Sequence, residues 1–202
     1  MTRPATWHVT IRWLHTIIAI LLPAQWCLGW FAERSAGRTT EQWLFSMHFQ
    51  LGVWILMLAA LRLTARWATR DPEATPGPVW RRRSATLVQW LMYALLFTLP
   101  ASGYVIWIWM EASRTVWPGF EVPALFVPPG DDESGRAIAW YIHVYGAWML
   151  ACLVGCHAGP ALWHQFVLRD RLVTRRMWPW GRREAAWMHG KESGISKPNI
   201  ES

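Results

Sequence analysis

The sequence predicts an all-α fold, an integral membrane up-down bundle of four transmembrane helices. Hydrophobic residues make up 53% of the 202 residues, and 18 residues are Trp, a type that favours membrane interfaces. Four apolar runs are long enough to cross a hydrocarbon core of about 30 Å. Charged residues are largely confined to the links between these runs, and short links favour antiparallel neighbours in a bundle.

The four spans are expected at residues 13–31, 43–63, 86–110 and 137–163. The first contains 19 residues and is aromatic at both ends, so it is long for the apolar part of a signal peptide and favours an uncleaved helix. In the third span, Pro100 and Gly103 mark a kink. Residues 1–179 are therefore expected to form one membrane domain, followed by a polar, disordered tail over residues 180–202.

The link between the third and fourth spans, residues 111–136, is the longest and carries five acidic residues. Its central stretch, Trp117 to Val127, is apolar, but prolines interrupt it and it is too short to cross a membrane. We expect this stretch to lie in the membrane interface as a lid over the helix ends.

The formal net charge of +7 is explained by membrane topology. Basic residues flank the apolar runs and form no compact patch, so nucleic-acid binding is not expected. The amino-terminal arm, the second link and the carboxyl-terminal segment, with Arg62 included, hold 16 Arg and Lys residues, whereas the first and third links hold four: Arg34, Arg38, Arg114 and Arg136. The positive-inside rule then places both termini in the cytoplasm.

The three cysteines all lie inside apolar runs: Cys27, Cys152 and Cys156. We interpret them as small hydrophobic core residues without a disulfide framework. A C-x-x-C-H motif is absent from the sequence, so covalent attachment of a c-type haem is excluded.

Four histidines lie inside the apolar runs, where a polar ring costs free energy unless something occupies it. His143 and His157 are 14 residues apart, about 1400° of helical rotation and about 21 Å of rise, so both point the same way. By depth, His48 shares the outer level with His143, and His15 shares the inner level with His157. Each pair comes from two helices, as bis-imidazole ligation requires, and this predicts two non-covalent b-type haem sites inside the bundle.

Further features of the spans bear on this interpretation. Glycines close to the two levels leave room for a flat macrocycle: Gly29, Gly52 and Gly146. A zinc site is disfavoured, because each histidine pair supplies only two ligands without an Asp, Glu or thiolate cluster to complete a tetrahedron. Iron with two strong axial ligands has no open position, which disfavours direct oxygen binding. The alternative for each histidine is a hydrogen bond to a neighbouring helix.

Three stretches resemble the prokaryotic cytochrome b561 family over residues 9–179: RWLHT around His15, MHFQLGVWILMLAALRL around His48, and HVYGAWMLACLVGCHAGPALWHQFVLRDRLVTRRMWP from His143. The most specific part is the last helix, with its paired histidines and the H-x-F-x-x-R-D run that follows. The resemblance implies two b-type haems on these three histidines and His157, with the same inner and outer pairing. It also implies electron transfer between the outer face and membrane ubiquinone, in a family that includes superoxide oxidase.

Two more residues are candidates at the inner level. Arg62 stands 14 residues after His48, on the same helix face, and can pair with an inner-haem propionate; a snorkelling topology anchor is the alternative. His164 follows His157 by seven residues and can contact a quinone or a propionate, or replace His157 as a ligand. A surface position among the lipid headgroups is the alternative for His164.

The expected function is transmembrane electron transfer through two b-type haems, between a periplasmic-side donor such as superoxide and membrane ubiquinone, within membrane lipid. Superoxide is an anion and gains from a positive entrance, but the outer links hold four Arg against seven carboxylates. Such a face suits a basic protein donor such as a soluble cytochrome c. The alternatives are therefore an electron-conduit subunit that docks a periplasmic redox protein or dehydrogenase, and a redox-silent membrane anchor or assembly protein.

Overall fold

The structure, a computed structural model, describes residues 7–69, 78–130 and 133–167. It contains four long helices, each apolar enough to cross a membrane: α1 (Val9–Arg34), α2 (Arg38–Ala68), α3 (Val79–Trp109) and α4 (Ser134–Phe166). This confirms the predicted fold class. Every helix begins before its predicted span, and α1, α2 and α4 also end after theirs. Helix α3 ends at Trp109, one residue before its predicted end. The domain boundary near residue 179 lies outside the described residues and stays a prediction.

The bundle is made of two helix pairs, α1 with α2 and α3 with α4, joined mainly along α2 and α3. A buried apolar cluster drawn from all four helices lies at its centre: Ile18, Ile55, Ala59, Leu95, Leu96 and Leu150. In the most apolar window of each helix only 11% to 33% of the residues are buried. Most residues of these apolar windows therefore lie outside the protein core, as expected where lipid is the solvent.

The prediction that the cysteines are core residues was wrong. Cys27, Cys152 and Cys156 are free thiols on the exposed surface of the bundle. The physical reason is that lipid chains are as apolar as a protein interior, so a hydrophobic residue in a transmembrane helix has no preference for the inside.

A short antiparallel pair of strands, which the sequence analysis did not predict, follows α3. Strands β1 (Thr115–Val116) and β2 (Phe120–Glu121) pair Thr115 with Glu121 and Val116 with Phe120. We call residues 113–127, which include this pair, the outer lid.

Apolar packing and several hydrogen bonds attach the outer lid to α2 and α3. Val116 is fully buried against Phe49 and Trp107, whose rings stack with centroids 4.7 Å apart. The Tyr104 hydroxyl donates to the carbonyl of Pro123 and accepts from the amide of Leu125 at 2.8 Å. The Trp117 amide donates to Gln50 Oε1 at 3.3 Å. The lid therefore covers the end of the bundle that carries His48; its depth in the lipid interface stays a prediction.

Candidate functional site

The structure brings the four span histidines together in two pairs. The rings of His48 on α2 and His143 on α4 have centroids 5.8 Å apart and an interplanar angle of 72°. Toward the other end of the bundle, the rings of His15 on α1 and His157 on α4 are 6.1 Å apart at 74°. These are the pairs that the depth argument predicts, and we keep the names outer and inner level from the charge-based topology.

The spacing of both pairs fits a metal held between two imidazoles. With metal–nitrogen bonds of about 2 Å on each side, the two ring centroids lie about 6 Å apart. Within residues 7–69, 78–130 and 133–167, three or more His, Cys, Asp or Glu residues are nowhere grouped so as to hold a bare ion. The donor set at each level is thus two imidazoles, which suits an iron whose other ligands come from a porphyrin.

Both outer rings are oriented by a backbone carbonyl. His48 Nδ1 lies 3.0 Å from the carbonyl oxygen of Gln25, and His143 Nδ1 lies 2.9 Å from that of Leu99. A carbonyl can only accept, so Nδ1 carries the proton and Nε2 keeps its lone pair for a metal. Gln25 also donates from Nε2 to the His48 carbonyl at 2.9 Å, and the Ser102 hydroxyl lies 3.2 Å from His143 Nδ1. The tautomer that axial ligation needs is therefore already selected at the outer level.

The sequence analysis did not identify these orienting groups. Gln25, Leu99 and Ser102 belong to no recognisable sequence motif. Gln25 and Leu99 contact the rings through backbone carbonyls, which every residue has. Of the three glycines expected to make room for a macrocycle, Gly29 faces the His48 ring, whereas Gly52 and Gly146 face the side chains of Gln25 and Leu99. Gly103, expected only to mark a kink, faces the His143 ring. The signal that could have found Gly103 is its position at the same depth as His143 on the neighbouring helix.

Arg62 is directed into the bundle near the inner level. It donates from Nη1 to the Tyr93 hydroxyl at 2.9 Å, and Tyr93 is only 4% exposed. Arg62 is also close enough to His15 and His157 for its charge to act on both rings. Its Nε is buried and has no hydrogen-bond partner in the described part of the chain. This inward direction favours a site residue over a snorkelling anchor, and the propionate role stays a prediction.

His164 can be placed only by its backbone. It lies within α4, two turns beyond His157, but its side chain is not among those the structure describes. Its contact with a quinone or a propionate stays a prediction.

Most of the outer arginines lie beside a carboxylate. Three of the four pair with a nearby carboxylate: Arg34 with Glu33 at 3.8 Å, Arg114 with Glu121 at 3.1 Å, and Arg136 with Glu133. The Arg34 guanidinium also lies 3.3 Å from the centroid of the Trp30 ring. The positive charge of this face is thus compensated locally, and its field at a distance is weak.

Comparison with known proteins points to one family. The sequence model of the family described as prokaryotic cytochrome b561 matches residues 6–180. Cytochrome b561 homolog 1 of Escherichia coli K12 is 29% identical over 183 residues, covering 88% of this chain and 98% of the relative. The probable superoxide oxidase CybB of Yersinia pestis is 27% identical over 171 residues, covering 84% and 93%. Cytochrome b562 of Cereibacter sphaeroides is 33% identical over 135 residues, covering 66% and 67%.

Proposed function

Because the chain belongs to the prokaryotic cytochrome b561 family, we propose that it passes electrons through two b-type haems, between a donor at the outer face and ubiquinone in the membrane. The family binds b-type haem and transfers electrons across membranes, and the four apolar helices make this chain a multi-pass bacterial membrane protein. The number of haems, the quinone and the donor belong to the proposal.

The spacing of the two ring pairs carries this proposal. At 5.8 Å and 6.1 Å between centroids, each pair has room for one iron between two imidazole nitrogens. We assign His48 and His143 to the outer iron and His15 and His157 to the inner one. When bound, a b-type haem supplies one-electron redox chemistry at its iron. With two histidines holding each iron, neither iron would have an open position for direct binding of oxygen.

The remaining site residues have supporting roles in this proposal. Arg62, held by Tyr93, pairs with a propionate of the inner haem, since a guanidinium matches a carboxylate in geometry. His164, at the inner end of α4, contacts the quinone or a second propionate. The outer lid covers the outer end of the bundle and limits the access of water to His48. We place the protein in a bacterial inner membrane with both termini in the cytoplasm. The distribution of Arg and Lys supports this orientation.

The donor is proposed to be superoxide, with a soluble redox protein as the second candidate. The similarity to a probable superoxide oxidase favours superoxide. The second candidate is favoured by the ion pairs of Arg34, Arg114 and Arg136, because compensated charge gives little steering of a small anion. In that case the chain acts as an electron conduit for a periplasmic redox protein or dehydrogenase.

Spectroscopy of the purified protein tests the redox function. We expect a b-type α band in the reduced-minus-oxidised spectrum and two haems per chain by a haem assay against protein concentration. One haem per chain would contradict the two-level assignment. A protein without any b-type band would leave only the redox-silent anchor or assembly role.

The donor is tested with the oxidised protein and no partner. Rapid reduction by superoxide, abolished by superoxide dismutase and followed by electron transfer to added ubiquinone, supports the superoxide assignment. Reduction only by a basic soluble cytochrome, with a rate that falls steeply as salt is added, supports the conduit.

A further inference from the structure

Position 29 on α1 lies directly against the His48 ring. The carbonyl of Gln25 accepts the hydrogen bond from His48 Nδ1, and Gly29 lies one helical turn after Gln25. A Cβ at position 29 would lie 3.0 Å from His48 Cε1 and 3.2 Å from Nδ1. These distances are shorter than the optimal carbon–carbon contact of about 3.5–4.0 Å. The ring therefore reaches the carbonyl in this pose because position 29 has no side chain.

The same arrangement recurs on α3 for the other outer ring. The carbonyl of Leu99 accepts from His143 Nδ1, and Gly103 lies one turn after Leu99. A Cβ at position 103 would lie 3.0 Å from His143 Cε1 and 3.3 Å from Nδ1. Helices α1 and α3 carry no proposed haem ligand at this level. Each presents a carbonyl and, four residues later, a glycine to one ligand ring: α1 to His48 and α3 to His143.

Other described glycines do not share this relation. A Cβ on Gly52 or Gly146 would meet the flexible end of Gln25 or Leu99, and a Cβ on Gly155 would meet nothing within 4 Å. Close approach to a histidine ring therefore distinguishes positions 29 and 103 from ordinary helix packing.

We propose that Gly29 and Gly103 are positioning residues of the outer haem: each gives a histidine Nδ1 access to a helix carbonyl, and the two bonds together lower the reduction potential of that haem. This inference rests on the proposed function. Donation from Nδ1 to a carbonyl makes the imidazole a stronger base at Nε2. A more basic axial ligand stabilises the ferric iron, which has the higher charge, more than the ferrous iron.

Alanine substitution at either glycine tests this inference. Gly29→Ala and Gly103→Ala require the facing ring to shift by a few tenths of an ångström, which lengthens its bond to the carbonyl. The matched control is Gly155→Ala, on the helix that carries His143 but open around its added Cβ. Redox titration with optical detection is carried out on the full-length protein, and the outer component is identified as the one missing from a His143→Ala variant.

We expect each alanine variant to raise the potential of the outer haem and leave the inner haem and the Gly155→Ala protein at wild-type values. The expected shift corresponds to a tenfold change in the reduced-to-oxidised ratio, about 59 mV for a one-electron couple. Loss of the outer haem alone from one variant supports only the positioning role, and the potential is then measured in the other variant. Positions 29 and 103 lie on different helices. A general loosening of the bundle is therefore not expected to shift the potential of the outer haem alone in both variants.

Outer potentials that match those of Gly155→Ala, or equal shifts of both haems, would overturn the inference while leaving two-haem binding intact. A wild-type protein without haem would overturn the proposed function itself. If neither alanine variant accumulates with haem, electron–nuclear double resonance on the wild type measures the Nδ1 protons directly. Two strongly hydrogen-bonded outer protons support the inference, and weakly bonded ones overturn it.

Discussion

The outer and inner histidine levels differ in what surrounds the rings, although the rings are almost equally spaced. At the outer level, backbone carbonyls of α1 and α3 hold the rings of His48 and His143, and the outer lid packs on α2 and α3 at this end of the bundle. At the inner level, the notable neighbour of His15 and His157 is a charge, the guanidinium of Arg62.

This difference indicates how one bundle can give two similar sites different redox properties. On our proposals, carbonyl acceptors strengthen the axial ligands at the outer level and lower its potential. A cation near the inner level stabilises the reduced state there, because reduction removes positive charge, and raises its potential. Electrons would then flow downhill from the outer face to the inner level and on to the quinone.

The largest expected effect is the loss of one haem from each single-histidine variant. His143→Ala should lose the outer haem and His157→Ala the inner one, because each substitution removes one of the two proposed ligands of that iron. Haem content per chain and the α-band spectrum measure this.

The control for this experiment is His8→Ala, which changes an exposed histidine at the start of α1 and should retain both haems. Unchanged haem content in His143→Ala or His157→Ala would refute the ligand assignment and end the comparison of two levels.

The next effect concerns the charge at the inner level. Arg62→Gln should lower the potential of the inner haem alone, since a unit charge at an effective dielectric of about 20 is worth about 1–3 kcal/mol over about 5–15 Å. Arg62→Lys should keep most of the wild-type potential, which separates the charge from the bond to Tyr93. Redox titration of both variants gives the measurement.

Arg81→Gln is the matched control, because Arg81 is an exposed arginine at the same end of the bundle. An inner potential that is equal in Arg62→Gln and Arg81→Gln would show that Arg62 has only a structural or topological role.

The smallest effect should come from the outer lid. Tyr104→Phe removes the hydroxyl that bonds Pro123 and Leu125, at a cost of about 1–2 kcal/mol for local opening. Hydrogen exchange of the Leu125 amide should become faster, and both haems should be retained. The same exchange in Tyr141→Phe, which changes an exposed ring on α4, should stay at the wild-type rate. Equal rates in the two variants would contradict attachment of the lid through Tyr104.

The four spans and the histidine pairs followed from local rules. Hydrophobic run length predicted four helices, and 1.5 Å of rise per residue sorted His15, His48, His143 and His157 into the pairs that the structure brings together. Both rules use only distance along a helix axis. The direction in which a side chain points around the helix axis was harder to predict, as the exposed cysteines show.

By itself, the sequence determined the membrane class, the helices and the depth of each histidine, because these depend on composition and on distance along one helix. The tertiary structure alone decided the contacts between helices: the carbonyls of Gln25 and Leu99 on the outer rings, Arg62 turned toward Tyr93, and the outer arginines paired with carboxylates. The physical reason is that lipid and protein interior are equally apolar, so hydrophobicity does not say which face turns inward. Backbone acceptors, moreover, are the same at every residue, and only packing selects those that are used.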